Sequence, residues 1–472
     1  MAALCVATAA TAYLGLSAAI FSAMSGSQPG PYMDEIFHVP QAQKYCNGSF
    51  LEKVQWDPKI TTPPGLYAFS LGLLSPLGWM LGLPPSERCS PTLLRLTSLL
   101  FSLGNFYTLY LLTCRLHSDT KLSTPQQLLQ ALSLALLPVL YFFSFLYYTD
   151  AGSTFLALLA YLMCAHGRHG AAALVSLLAL CFRQTNVVWV AFYAGIVVCQ
   201  ELDRAWEEQR SKKDVSPSDR RARSLWQSWL QLLRFGLQWL RSPEAMWRAL
   251  APAWPYALPL GAFLAFVVAN DGIVLGDRAS HQACLHFPQF FYFLVFTLAF
   301  SSHLLLSPTR LRDSALALRR HPAAALALGA LGCLLVWRFT YVHPYLLADN
   351  RHYTFYLWRR ALGWHALARF LPVPAYLFAG WVLSEALRAK SPFWRAGFAV
   401  CVTAATVPQR LLELRYFILP YLVLRLNAPV PSVPHLLVEA ALHLAVNLAT
   451  VHLFLHRTFQ WPDSADLQRF MW

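Results

Sequence analysis

A succession of apolar runs, most of them near twenty residues long, divides this chain, with polar loops between. That length is what an α-helix needs to cross the hydrocarbon core of a bilayer. The runs are Ala2 to Met24, Gly65 to Leu83, Leu93 to Leu116, Leu128 to Tyr147, Ala151 to His166, Ala171 to Cys199, Ala253 to Ile273, Phe287 to Leu306, Ala323 to Phe339, Leu367 to Leu387, Ala396 to Arg415 and Leu436 to His456. They predict an all-α polytopic membrane protein with about twelve, and up to fourteen, crossing helices. Only 13% of the 472 residues are charged, against about 25% in soluble domains. Residues 1–472 read as one multi-span domain. The stretch before Met24 carries no charge, so it lacks the basic start of a cleaved signal and is expected to remain as the first span.

Basic residues in the loops set the orientation, because they concentrate on the cytosolic face. The net charge of +14 comes largely from such loops. Segment 201–248 holds Arg204, Arg210, Lys212, Lys213, Arg220, Arg221, Arg223, Arg234, Arg241 and Arg248; loop 307–322 and loop 388–395 add more. With twelve spans these loops and both termini fall on one side. Within 201–248 the sequence predicts a flexible tip and then an amphipathic helix from Leu225 to Leu240, lying on the membrane surface. No basic stripe with interleaved aromatics appears, which argues against nucleic acid as a partner. The other face receives loops 25–64, 274–286, 340–365 and about 416–435. The sequon Asn47-Gly48-Ser49 lies in the first of these, making Asn47 a glycosylation candidate on the lumenal side. Most cysteines lie inside apolar runs; Cys46 and Cys284 are the pair that can share a compartment.

The unusual chemistry gathers in those opposite-face loops. Asp34 and Glu35 follow the first span directly. Neighbouring carboxylates at a low-dielectric edge raise one another's pKa, which suits a general base. On a helix Asp34 and His38 share a face that continues to Gln41 and Tyr45, although Pro40 works against a regular helix. Trp56 and Asp57 suit a sugar ring and its hydroxyls, or an aromatic belt at the membrane edge. Arg278 and His281 can meet a phosphate, or Arg278 can pair with Asp277. Loop 340–365 is densest: His343, Asp349, Asn350, Arg351, His352, Arg359 and Arg360 lie among aromatics just beyond Arg338. Cations here run against the positive-inside trend, so the loop is expected to hold a departing phosphate. Arg410, Glu413, Arg415 and Tyr416 end a late span, as site groups or as a structural pair. Thr149-Asp150 and Arg183-Gln184-Thr185-Asn186 fall near the basic side and read as helix-packing groups; if the span parity differs there, Asp150 becomes a second site candidate. No P-loop, G-x-G-x-x-G or H-E-x-x-H motif occurs, which argues against the usual nucleotide sites.

Segments 32–46, 55–67, 276–281 (Gly-Asp-Arg-Ala-Ser-His) and 343–360 (His-Pro-Tyr-Leu-Leu-Ala-Asp-Asn-Arg-His-Tyr-Thr-Phe-Tyr-Leu-Trp-Arg-Arg) closely resemble the dolichyl-phosphate-glucose-dependent α-1,2-glucosyltransferases of asparagine-linked glycosylation. The likeness runs over essentially the whole chain. It implies a GT-C-type enzyme of the endoplasmic reticulum membrane whose lumenal catalytic loop contains short membrane-edge helices. Such an enzyme takes glucose from dolichyl-phosphate-β-glucose and adds it as the terminal residue of the diglucosylated lipid-linked oligosaccharide. The α bond requires inversion at the anomeric carbon. Carried over residue by residue, the base is Asp34, assisted by Glu35 and His38. By residue type and setting, and not by carry-over, donor phosphate is assigned to Arg338, His343, Arg351, His352, Arg359, Arg278 and His281. Acceptor or sugar contacts fall to Tyr32, Trp56, Asp57, Asp349, Asn350, Glu413 and Tyr416. Neither a cofactor nor a metal is implied. A sister transferase using another dolichyl-linked sugar is the alternative, and a transporter is a more distant one, since charges crowd into loops instead of into spans.

Overall fold

The computed structural model describes residues 2–47, 55–212, 225–301 and 307–472. Gly48 and Ser49 of the sequon and the tip of the basic insert at 213–224 lie outside the described residues; Asn47 is the exposed last residue of its helix.

Helices dominate in chain order: α1 (Ala2–Ser27), α2 (Glu35–Asn47), α3 (Gly65–Met80), α4 (Pro85–Arg88), α5 (Pro91–Leu116), α6 (Thr124–Ala135), α7 (Pro138–Phe143), α8 (Thr149–Ala165), α9 (His169–Phe182), α10 (Val187–Lys212), α11 (Leu225–Leu240), α12 (Pro243–Ala253), α13 (Ala257–Asn270), α14 (Pro288–Phe300), α15 (Pro308–Arg320), α16 (Pro322–Phe339), α17 (Pro344–Ala348), α18 (Tyr353–Leu357), α19 (Val373–Ala386), α20 (Pro392–Thr406), α21 (Ile418–Asn427) and α22 (Val433–His456). Many begin on a serine followed by proline at the first or second helical position. Ser123, Ser242, Ser307 and Ser391 each accept a backbone N–H of the first turn, and Ser123 closes a capping box with Gln126. Each cap contributes about 1 kcal/mol and fixes where a helix starts after a tight connection. Among the described residues six helical segments are long and apolar enough to cross a membrane: Ala3–Ser27, Pro91–Leu116, Gln184–Gln209, Pro243–Asn270, Pro322–Phe339 and Val433–His456. Through the centre runs 133–154, every residue of which is buried.

Three departures from the expected layout matter. First, α3 is not a traverse. Tyr67 near its start stacks on Tyr45 and bonds His38 of α2, while the chain leaving its other end reaches Cys89, which is disulfide-bonded to Cys46 at the end of α2. Both ends of α3 therefore lie beside α2. The disulfide joins Cys46 to Cys89, with Cα atoms 6.4 Å apart, and not to Cys284, which is free. Second, the run Ala171 to Cys199 is two helices, α9 and α10, broken at Arg183–Asn186. Arg183 is extended (φ −149°, ψ 127°) and a single 3₁₀ turn follows. The run from Ala396 towards Leu424 likewise breaks into α20 and α21. Third, residues 457–472 do not return to the basic side. They fold as a small antiparallel hairpin, β1 (Phe459–Gln460) with β2 (Leu467–Gln468), and an isolated parallel bridge pairs Met471 with His352. The hairpin lies at the end of the molecule where α1 finishes, with Arg469 bonded to the Ser27 carbonyl (2.7 Å). The two termini are thus at opposite ends.

The loops 55–64, 274–286 and 340–365 do gather at that same end, joined by 407–417; of the stretch expected there at about 416–435, residues 418–427 are instead the buried α21, which leads away to the 117–126 connection. The Asp277 amide donates to the Pro58 carbonyl (2.9 Å), and a side chain at Gly276 would run into that carbonyl. The His286 amide donates to the Val407 carbonyl (3.0 Å), and His343 Nε2 to the Ser280 carbonyl (3.2 Å).

Candidate active site

The site begins at the turn between α1 and α2. Met33 adopts a left-handed backbone (φ 54°), a conformation costing about 1–2 kcal/mol for a residue with a side chain. Asp34 follows, and its carbonyl accepts the His38 amide (3.1 Å). α2 then runs on through Pro40, giving up one backbone bond at the exposed Ile36 turn. The Asp34 amide donates to the Tyr148 hydroxyl (3.1 Å), which ties this turn to the buried central segment.

The two adjacent carboxylates take different partners. Glu35 is fully buried (0% exposed) against Arg95, whose Nε and Nη2 donate to its two oxygens (2.9 and 2.6 Å). The Tyr32 and Tyr147 amides donate to the same oxygens (3.0 and 2.6 Å). Asp34 remains 42% exposed, with Oδ2 3.5 Å from Arg415 Nη1. Arg415 in turn bridges three acidic side chains, lying 3.5 Å from Asp150 Oδ2 and 2.9 Å from Glu413 Oε1. Its guanidinium also lies over the rings of Phe143 and Tyr148. Asp150, 1% exposed, is held by Arg183 through both oxygens (3.1 Å each), and Arg183 Nε donates to Thr149. The groups expected on the basic side are therefore part of this cluster. The cause is the chain path: α3 folds back beside α2, and the chain reverses again at Arg183–Asn186. His38 is partly buried, and desolvation of its ring pushes its pKa down to about 4; Asp34 opposes that and Arg415 adds to it. It is neutral at pH 7 and shares a 2.5 Å hydrogen bond with the Tyr67 hydroxyl.

A cavity of about 310 Å³ opens over Asp34, walled by Met33, Phe143, Tyr148, Asp349, Arg351, His352, Glu413, Arg415, Met471 and Trp472 among others. Asp34 and Arg351 thus face one space. Arg351 donates to both Asp349 oxygens (2.8 and 2.7 Å) and to Gln468 (2.8 Å), and lies over the Trp461 ring at 4.6 Å. Burial disfavours the Asp349 carboxylate, yet hydrogen bonds and charge from His352 and Arg351 outweigh it and hold its pKa well below the usual range. Asp349 is then an anchor for Arg351 and His352, not a proton carrier.

Other expected site residues are engaged elsewhere. Tyr32 is buried and exchanges hydrogen bonds with the Arg469 backbone. Trp56 donates to the Ile60 carbonyl, and Asp57 accepts the Lys59 amide in a local turn. Asn350 accepts from Trp461. His343 caps α17 and bonds Ser280. Arg278 is spent on carbonyls of its own loop, and His281 bonds Asp277. Arg338 lies exposed over Phe339. Tyr416 lines a small polar recess beyond Arg415, with Asp150 and Arg183. Arg359 borders a separate, largely apolar recess with Leu346, Phe355 and Trp358. Among the described residues no group of three or more His, Cys, Asp or Glu is arranged to hold a metal; at the site the carboxylates converge on a guanidinium.

A family model described as the DIE2/ALG10 family matches residues 28–426. A protein of Rattus norvegicus is 49% identical over 97% of this chain and 96% of its own length. A Homo sapiens protein is 48% identical with the same coverage, and one from Arabidopsis thaliana is 34% identical over 94% of this chain and 95% of its own. All three are named Dol-P-Glc:Glc(2)Man(9)GlcNAc(2)-PP-Dol alpha-1,2-glucosyltransferase. With the turn that carries Asp34 and the loop that carries Arg351 both inside the matched span, this chain belongs to the DIE2/ALG10 family.

Proposed function

We propose that this chain is a membrane α-1,2-glucosyltransferase that moves glucose from dolichyl-phosphate-glucose to the diglucosylated oligosaccharide on dolichyl diphosphate. The observation that carries the mechanism is the sharing of one cavity by a half-exposed carboxylate, Asp34, and the hydrogen-bond donors Arg351, His352 and Arg415. Asp34 takes the proton of the acceptor 2-hydroxyl. That oxygen attacks the anomeric carbon as the bond to phosphate breaks, and the leaving oxygen keeps the electron pair. Arg351 and His352 meet the charge on the departing dolichyl phosphate. One displacement inverts the centre and forms no glycosyl-enzyme intermediate. Glu35 is not the base in this scheme, because both its oxygens are occupied by Arg95 and backbone donors. No metal or cofactor has a role in it.

The site end faces the lumen of the endoplasmic reticulum in this reading. Two features support that: the Cys46–Cys89 disulfide, which belongs in an oxidising compartment, and the basic connections at the other end. The chain then crosses on α1, α5, α6 with α7, α8, α9, α10, α12 with α13, α14, α16, α19, α20, α21 and α22, an odd number. α2 and α3 are membrane-edge helices of the first lumenal loop. A sister specificity for another dolichyl-linked sugar is less favoured, because the relatives' names specify glucose. The test is transfer by the purified protein with defined lipid-linked donor and acceptor. Arg351→Ala is expected to raise the donor KM, or lower kcat, by about tenfold or more, with the acceptor KM unchanged. Unaltered donor kinetics would remove Arg351 from the phosphate site.

A further inference from the structure

Residues 457–472 join the two halves of the site. Arg469 is buried in the junction between α1 and α2, where its guanidinium donates to the carbonyls of Ser27 (2.7 Å) and Phe454 (2.9 Å) and to the Gln28 side chain (3.0 Å). Its backbone exchanges two 2.7 Å bonds with the Tyr32 hydroxyl, two residues before Asp34. On either side of Arg469 the same segment grips residues 350–352. Gln468 accepts from Arg351, and Trp461 donates to Asn350 (2.9 Å) and stacks on Arg351. The Met471 amide donates to the Arg351 carbonyl (2.9 Å), and His352 Nδ1 donates to the Trp472 carbonyl (2.6 Å). Met471 and Trp472 then wall the cavity itself. Arg351 has its own partner in Asp349, but Asp349 lies on the same loop and moves with it. The contacts to 461–472, together with a direct interaction between the Arg351 and Tyr32 side chains, refer that loop to the turn carrying Asp34.

We propose that Arg469 is a positioning residue of the transferase, which through residues 468–472 sets Arg351 and His352 at their distance from Asp34. This rests on the reading that Arg351 and His352 receive the donor phosphate. A buried guanidinium bonded to several backbone carbonyls suits the task, since its planar fork fixes direction as well as distance. A shift of about 1 Å at a reacting geometry can cost about 10²-fold in rate, so the effect should appear in the donor constants.

The test compares full-length Arg469→Ala, Arg469→Lys, Gln468→Ala, Trp461→Phe and Arg351→Ala, purified in detergent. KM for each substrate, kcat and the thermal midpoint are measured together. Arg469→Ala is expected to raise the donor KM, or lower kcat at saturating acceptor, by about tenfold, with the acceptor KM held. Lysine should restore part of this, because it keeps charge but not the fork. Gln468→Ala and Trp461→Phe, which leave the Arg469 contacts to Ser27, Gln28 and Phe454 intact, should move the donor constants in the same direction and serve should Arg469→Ala not fold. Donor constants unchanged in Gln468→Ala and Trp461→Phe, and in any folded Arg469→Ala, overturn the proposal. So does a loss shared equally by donor and acceptor that follows the thermal midpoint. If Arg351→Ala alters donor use while the tail variants do not, only the positioning role fails. If Arg351→Ala itself is silent, the phosphate reading fails.

Discussion

Asp34→Asn is expected to abolish most transfer, by about 10² or more in kcat, in a protein that still folds. The amide keeps the shape of the side chain but cannot accept the acceptor's proton. The fold should tolerate the change because Asp34 is 42% exposed and its backbone, not its carboxylate, anchors the turn through Tyr148 and His38. Losing the charge frees one contact of Arg415, which keeps Glu413 and Asp150. The measurement is transfer with saturating purified donor and acceptor, alongside the thermal midpoint. Near-normal kcat in Asp34→Asn would sink the assignment of the base. Binding of donor should be nearly unaffected, because the phosphate side of the cavity is built on a different loop.

Much of this was legible in the residues. Loops rich in Asp, Arg and His between apolar runs were expected to meet at one face, and they do: Asp34, Asp349, Arg351, His352 and Glu413 border a single cavity. The basic connections stand at the other end. What hydropathy cannot report is where a chain reverses. The run at 65–83 is apolar enough to cross, but it folds back on α2, and its burial there looks the same in composition. The run at 171–199 hides a reversal at Arg183–Asn186. The reversal missing from α3 and the one hidden at Arg183 offset each other, so the end of the molecule read from hydropathy differs from the observed one only between them. That interval contains Asp150 and the approach to Arg183, which the sequence reading puts near the basic side. A second hidden reversal between α20 and α21 moved residues 457–472 to the site end.

The signals for those reversals were present as polar breaks: Arg183-Gln184-Thr185-Asn186 in one run, Pro408 to Glu413 in the other. A span that carries an arginine beside Gln and Asn near its middle is better divided than explained as packing. Charge alone misled in the opposite sense. Arg278, Arg338 and Arg359 resemble phosphate ligands by residue type, yet their donors meet local carbonyls or rings outside the cavity. Arg415 was visible as a suspect, but its three acidic neighbours come from separate parts of the chain, and no spacing encodes that meeting.

Glu35, next to Asp34 in sequence, should respond in the opposite way. Glu35→Ala removes the partner of Arg95, which is 1% exposed, and leaves a buried guanidinium with only the Gln28 and Gly30 carbonyls. Breaking a buried pair from one side costs about 3–5 kcal/mol, far more than the Coulomb attraction of an exposed pair contributes. The Tyr32 and Tyr147 amides also lose their acceptor. The damage should therefore be read as a lowered unfolding midpoint, with activity lost in proportion to folded protein. Replacing both partners, as Glu35→Met with Arg95→Met, should recover part of the loss, since no uncompensated charge stays behind. A second comparison separates structure from chemistry: folded Glu35→Ala, recovered at low temperature, should retain a larger share of its kcat than Asp34→Asn does. If instead Glu35→Ala unfolds within about 0.5 kcal/mol of the parent and fails in turnover as Asp34→Asn is expected to, the division of labour between these two carboxylates is wrong, and Glu35 belongs to the chemistry.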